Sequence, residues 1–148
     1  MAPVTAESLN DLSAKIIGPA VRVHRELGPG LLESAYTGCL CYELHVAGLS
    51  FEVQRPIPLR SKEVAIDCAY RADLIVESGV ILEVKALESL APIHARQLLT
   101  YLRLASCPLG LILNFGAPTL RAGIKRVVNG FPQSKIDQEP PRSLRTPR

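Results

Sequence analysis

No stretch of this 148-residue sequence approaches the ~20 consecutive apolar residues that a helix needs to cross a bilayer, which excludes a helical membrane protein. The opening residues, MAPVTAESLNDLSAK, lack a basic segment followed by an apolar one, so no secretory leader is expected and the protein should be soluble and cytoplasmic. Cysteine is sparse and unpaired in pattern. Cys39, Cys41, Cys68 and Cys107 form no C-x-x-C pair and no Cys-His spacing suited to zinc, so free thiols in a reducing compartment are expected. A strong excess of either charge is also missing. Two units of the net +3 belong to residues 132–148, where Lys135, Arg142, Arg145 and Arg148 outnumber Asp137 and Glu139. Bulk electrostatics therefore neither demand nor exclude nucleic acid, and a binding groove must come from local arrangement.

What is present is enough apolar material for one domain, 47% of the residues. Leu9, Leu12, Ile16, Ala20, Val23 and Leu27 recur at three- and four-residue steps, the stripe of an amphipathic helix, which Gly18-Pro19 should kink or split. A second helix is expected over LLESAYTGCLCYELHVAG, stopping at Gly48. SFEVQ and, beyond the interruptions at Pro56 and Pro58, VAIDCAYRADLIV and VILEVKA are rich in β-branched residues and read as strands. Pro92 suits the first turn of a helix over IHARQLLTYLRLAS, LGLILNF reads as a buried strand, and IKRVV as an edge strand or short helix. That order predicts an α/β fold, bordering on α+β, with helices covering a mixed sheet. The domain should span 1–131, followed by a disordered, proline-rich basic tail at 132–148.

Within YRADLIVESGVILEVKA, three charges interrupt runs that otherwise look buried: Asp73, Glu83 and Lys85. Charged residues are rarely buried without a partner or a task. A hairpin centred near Ser78, with Gly79 supplying a positive φ, opposes Val76 to Val80, Ile75 to Ile81 and Asp73 to Glu83. Strand side chains alternate, so Glu83, Lys85 and Asp73 share one face while Leu82 and Val84 take the other. Two directly opposed carboxylates repel unless something positive lies between them. The set suits a hard divalent cation such as Mg²⁺, which takes one or two carboxylates and borrows phosphate oxygens, with the lysine orienting an attacking water. The residues alone leave open an ordinary ion pair of little value.

Three further stretches accompany this set in order: GLLESAY at 30–36, matching G-x-x-E-x-x-Y with Gly30, Glu33 and Tyr36; HARQLLTYL at 94–102; and LILNFG at 111–116. Together they resemble the GxxExxY protein family, a branch of the PD-(D/E)XK nuclease superfamily, over about residues 8–131. The resemblance implies a restriction-endonuclease-like core, a mixed four-stranded sheet flanked by helices. It implies that Asp73, Glu83, Glu33 and the Val84 carbonyl hold Mg²⁺, for which Mn²⁺ substitutes, that Lys85 assists water attack on a phosphodiester, and that Gln97 supports the site. Nucleic acid, DNA ahead of RNA, is the implied partner, with a homodimer or helper protein supplying what a short chain lacks. Ala72 departs from the pattern, standing where the superfamily's name has Pro.

Helical spacing agrees with this set: Glu33 and Tyr36 share a face, as do His94, Gln97 and Tyr101. Tyr36 and Tyr101 read as core residues with bonded hydroxyls, His94 as a structural histidine, and Glu33 as a favourable charge at a helix start. Arg71, Arg96 and Arg103 are candidate phosphate contacts of lower rank. The rival to a nuclease is a non-catalytic module of the same fold that binds nucleic acid or a partner protein.

Overall fold

A computed structural model describes residues 5–130, so the expected disordered tail lies outside the described residues. The first helix, α1, spans Ala6–Leu27 and begins in a capping box: the Thr5 side chain accepts the Ser8 N–H at 3.0 Å while Ser8 Oγ accepts the Thr5 N–H at 3.1 Å. Gly18-Pro19 does not split it. Pro19 removes one helical hydrogen bond, a cost of ~3 kcal/mol, but Leu9, Ile16 and Val23 are buried on the same helix at roughly 1.5–3 kcal/mol each. α2 (Glu33–Val46) follows and ends just short of Gly48.

Strand β1 (Phe51–Ser61) runs through both Pro56 and Pro58, where interruptions were expected. It is an edge strand, and Pro58 sits at a register shift between Ile57 and Leu59, both of them settings in which a sheet tolerates proline. β2 (Val64–Val76), β3 (Val80–Lys85), α3 (Pro92–Ala105), β4 (Leu109–Asn114), the short α4 (Leu120–Gly123) and β5 (Ile124–Val128) complete the order. The sheet order is β1-β2-β3-β4-β5, antiparallel except for the parallel β3/β4 pair. This is the expected mixed α/β architecture, with IKRVV adding a fifth, antiparallel edge strand to the four anticipated.

Helices cover both faces. Val80, Leu82 and Val84 with Leu109, Leu111 and Leu113 pack under α1 and α2 in the larger core, while Ile81 and Ile112 pack under Leu98 and Leu102 of α3 in the smaller. Burial on both faces explains why β3 and β4 read as nearly continuous apolar runs.

Candidate active site

The expected hairpin register is present: Val76 pairs with Val80, Ile75 with Ile81 and Leu74 with Leu82. The turn differs in detail. Positive φ falls on Glu77 (51°) and Ser78 (56°), not on Gly79, and Glu77 is held there by Ser50, whose N–H and hydroxyl both donate to Glu77 Oε2, at 2.6 and 2.7 Å. The Glu77 N–H in turn donates to the Ser50 carbonyl.

Backbone pairing of β2 with β3 stops at Leu74, one step before Asp73 would meet Glu83. Side chains take over there. Asp73 Oδ2 accepts the Val84 N–H at 2.9 Å, and Glu83 Oε2 receives the Asp73 N–H at 3.4 Å. The two acids are thus laced to each other's strand. β2 also changes face at this point: Leu74 and Val76 lie in the α1/α2-side core, but Ala72, which strict alternation would place with them, lies with Ile75 in the α3-side core.

Electrostatics follow from that placement. Glu83 is only 5% exposed, and burial together with the neighbouring Asp73 charge pushes its carboxyl up to about 7, against relief from Tyr70, the Asp73 N–H and Lys85. Burial also raises Asp73, opposed by the Val84 N–H, Lys85 and the Gln54 side chain. Tyr70 lines the same cleft as Glu83, and burial plus that carboxylate push the phenol well above its ordinary range. Its ring stacks on Tyr101 of α3, nearly parallel at 8°.

Beside Glu83 lies a cleft of about 40 Å³, room for two or three waters, walled by Glu83, Lys85, Tyr70, Tyr101, His94 and Gln97. Leu98 and Ile112 form its apolar floor. The structure therefore gathers Glu83, Lys85 and Gln97 around one space and sets Asp73 against Glu83. His94 Nδ1 accepts the Ala91 N–H at 3.0 Å, so this histidine caps the helix, as its structural reading required.

Glu33 behaves differently from its motif partners. Tyr36 is fully buried, stacks on Phe115 at 4.6 Å, donates to the Gly28 carbonyl at 2.5 Å and accepts the Leu31 N–H at 3.1 Å, so it ties down the loop between α1 and α2. Gly30 has φ 114°, a conformation that favours glycine. Glu33 is exposed at the first residue of α2, and among the described residues its carboxylate forms no ion pair. Nor do three His, Cys, Asp or Glu side chains among the described residues converge as a ready metal cage, so Glu33 is not gathered with Asp73 and Glu83 into one. The four cysteines are free, as expected. Among the described residues no helix is long and apolar enough to cross a membrane.

Sequence reasoning missed three contributors. Gln54 and Tyr70 attend the acids, and neither carries a signal beyond being polar on a strand. Asn114, 2% exposed, accepts the Leu87 N–H (2.8 Å) and Gly116 N–H (3.1 Å) and donates to the Leu87 carbonyl (3.0 Å). With the Phe115 N–H bonded to the Lys85 carbonyl, it clamps the end of β3 from which Lys85 emerges. A side chain on Gly116 would lie 2.2 Å from the Leu87 carbonyl oxygen, so the NFG of LILNFG is part of this clamp.

Comparison with protein-family models matches residues 10–127 to the PD-(D/E)XK nuclease superfamily, and the chain belongs to it. No curated protein and no solved structure matches the chain.

Proposed function

We propose that this member of the PD-(D/E)XK nuclease superfamily is a divalent-metal-dependent phosphodiesterase that hydrolyses nucleic acid. The observation that carries the reading is the pair Asp73 and Glu83, fixed against each other by backbone N–H groups although their repulsion and burial disfavour both charges. A divalent cation converts that repulsion into binding, and Mg²⁺ needs only one or two carboxylates when waters and phosphate oxygens fill the rest of its shell. The donor chemistry fits at Asp73 and Glu83, which would hold the ion together with the Val84 carbonyl; Glu33, proposed as a further ligand on the superfamily pattern, stands apart from both acids and would have to approach to join them. Glu33, at the first turn of α2, is the member of G-x-x-E-x-x-Y whose carboxylate has no ion-pair partner among the described residues, and the motif supports placing the chain in the GxxExxY branch. When bound, the cation neutralises and polarises the phosphoryl group.

The chain's own residues supply the remainder. Lys85, held at the cleft by the Asn114 clamp, donates to the attacking water or to the phosphate and so stabilises charge developing there. Gln97 across the cleft orients the same groups. Arg71, Arg96 and Arg103 are exposed and available to phosphates outside the cleft. DNA in preference to RNA is the proposed substrate, with a homodimer or helper protein providing a larger contact surface, and Mg²⁺ the proposed ion, replaceable by Mn²⁺.

Calorimetric titration of Mn²⁺ and Mg²⁺ tests the metal, and cleavage of single- and double-stranded DNA and RNA tests the chemistry. Saturable binding in the parent should vanish in Asp73→Asn and Glu83→Gln. Lys85→Ala should still bind the ion but cleave roughly 10²–10³-fold more slowly, the usual loss for one transition-state donor. If Glu83→Gln and Lys85→Ala cleave as fast as the parent, the assignment fails. Binding of nucleic acid without cleavage by the parent would favour the non-catalytic module.

A further inference from the structure

Five residues other than glycine have positive φ among the described residues: Gln54, Lys62, Glu77, Ser78 and Ser106. Lys62 lies in the turn between β1 and β2, Glu77 and Ser78 in the β2/β3 turn, and Ser106 caps α3, all places where a left-handed residue closes a turn. Gln54, at φ 55°, lies inside a strand. Left-handed backbone costs a residue with a side chain about 1–2 kcal/mol, so something must hold it there.

Packing does not, because Gln54 is exposed. Its position is informative instead. β1 pairs with β2 at Val53↔Leu74 and at Arg55↔Ala72, and the skipped step opposes Gln54 to Asp73. This is also where β2 changes face between Ala72 and Leu74 and where β2 parts from β3. Gln54 is thus the β1 residue facing Asp73, whose Oδ2 accepts the Val84 N–H, and its side chain lies close enough to favour the Asp73 carboxylate. Local irregularities of this kind commonly re-aim a side chain beside a functional site.

We infer that Gln54 is a positioning residue: its left-handed backbone turns a neutral amide onto Asp73 and fixes that carboxylate toward Val84 and the ion-binding site. The amide donates without adding charge. It can therefore orient Asp73 without competing with a cation for its place, as a lysine or arginine there would. This inference deepens the proposed nuclease reading and rests on it for the ion, whereas the opposition of Gln54 to Asp73 across the β1/β2 step belongs to the metal-free protein.

Gln54→Gly separates the two roles, since glycine accepts the backbone conformation without strain but has no amide. Hydrogen exchange reads the metal-free protein, and Mn²⁺ calorimetry reads the loaded one. The Val84 N–H should exchange about fivefold faster in Gln54→Gly, the equivalent of one ordinary hydrogen bond, while the Leu82 N–H keeps its parental rate. The melting temperature should not fall, and the Mn²⁺ dissociation constant should rise about fivefold. In an Asp73→Ala background, which removes the acceptor, Gln54→Gly should leave Val84 exchange unchanged.

An unaltered Val84 rate in Gln54→Gly would overturn the inference, as would an equal change at Leu82, which marks general loosening of the sheet. Faster exchange at Val84 in a parent that binds no Mn²⁺ would uphold the positioning role and count against the metal reading, so the two failures are distinguishable.

Discussion

The two faces of β3 carry opposite kinds of chemistry a single residue apart. Val80, Leu82 and Val84 point into a dry core with α1 and α2, whereas Glu83 and Lys85 point to the cleft under α3. On the first face every group gains by leaving water. On the second, Glu83 and Asp73 are retained against burial and the repulsion between them, offset by backbone N–H groups, Lys85, the Gln54 side chain and the Tyr70 hydroxyl. One face carries the apolar packing and the other the disfavoured charges, and the strand's period of two keeps them apart. The β2 irregularity at Asp73 relaxes this separation: Ala72 crosses to the α3 side, while Asp73 keeps the face that alternation from Ile75 assigns it.

Substitutions on the two faces should accordingly differ in sign. The largest effect is expected from Leu82→Ala, where truncating a fully buried side chain should cost about 2–5 kcal/mol in denaturant unfolding while leaving Mn²⁺ affinity of the folded protein near parental. A comparable loss of affinity would break the division between faces.

Glu83→Gln should act in the opposite direction. Because the folded carboxyl titrates at about 7 against an ordinary value of 4.5, the folded protein binds more protons than the unfolded chain between those limits. Stability without metal should therefore fall as pH rises through that window, by on the order of 3 kcal/mol, with the penalty complete above pH 7. Denaturation at pH 5 and pH 8 measures this fall, and Glu83→Gln should abolish most of it. A stability that rises with pH in the parent, or an equal fall in Glu83→Gln, would show that Glu83 is not a strained carboxylate.

The smallest effect is expected from Tyr70→Phe, which keeps the ring stack on Tyr101 and removes only the hydroxyl. That hydroxyl favours the Glu83 carboxylate, so its loss should move the acid limb of Mn²⁺ binding upward by less than about one pH unit, for a hydrogen bond worth ~1 kcal/mol. No movement of that limb would mean that the stack, not the hydroxyl, is what Tyr70 contributes.

Much of this arrangement is legible before folding. The stripe from Leu9 to Val23, Pro92 at the start of α3 and the pairing of Val76 with Val80 follow from local periodicity and turn chemistry, and all are found. The departures share a cause. Pro56 and Pro58 look like breaks until β1 proves to be an edge, and Pro19 looks disruptive until its helix proves to be packed. Gly79 looks like the left-handed residue until Ser50 is found holding Glu77 in that role. Each local rule was outweighed by a partner distant in the chain.

The sequence by itself determined the order of elements, the hairpin register and the shared face of Glu83 and Lys85, because alternation and helical spacing are properties of a few consecutive residues. Only the tertiary structure decided that Asp73 bonds to Val84, that Gln54 and Tyr70 attend the acids, that Asn114 clamps Leu87 across 27 residues, and that Glu33 stands exposed. Hydrogen bonds and burial between distant segments are set by packing, which no local pattern encodes.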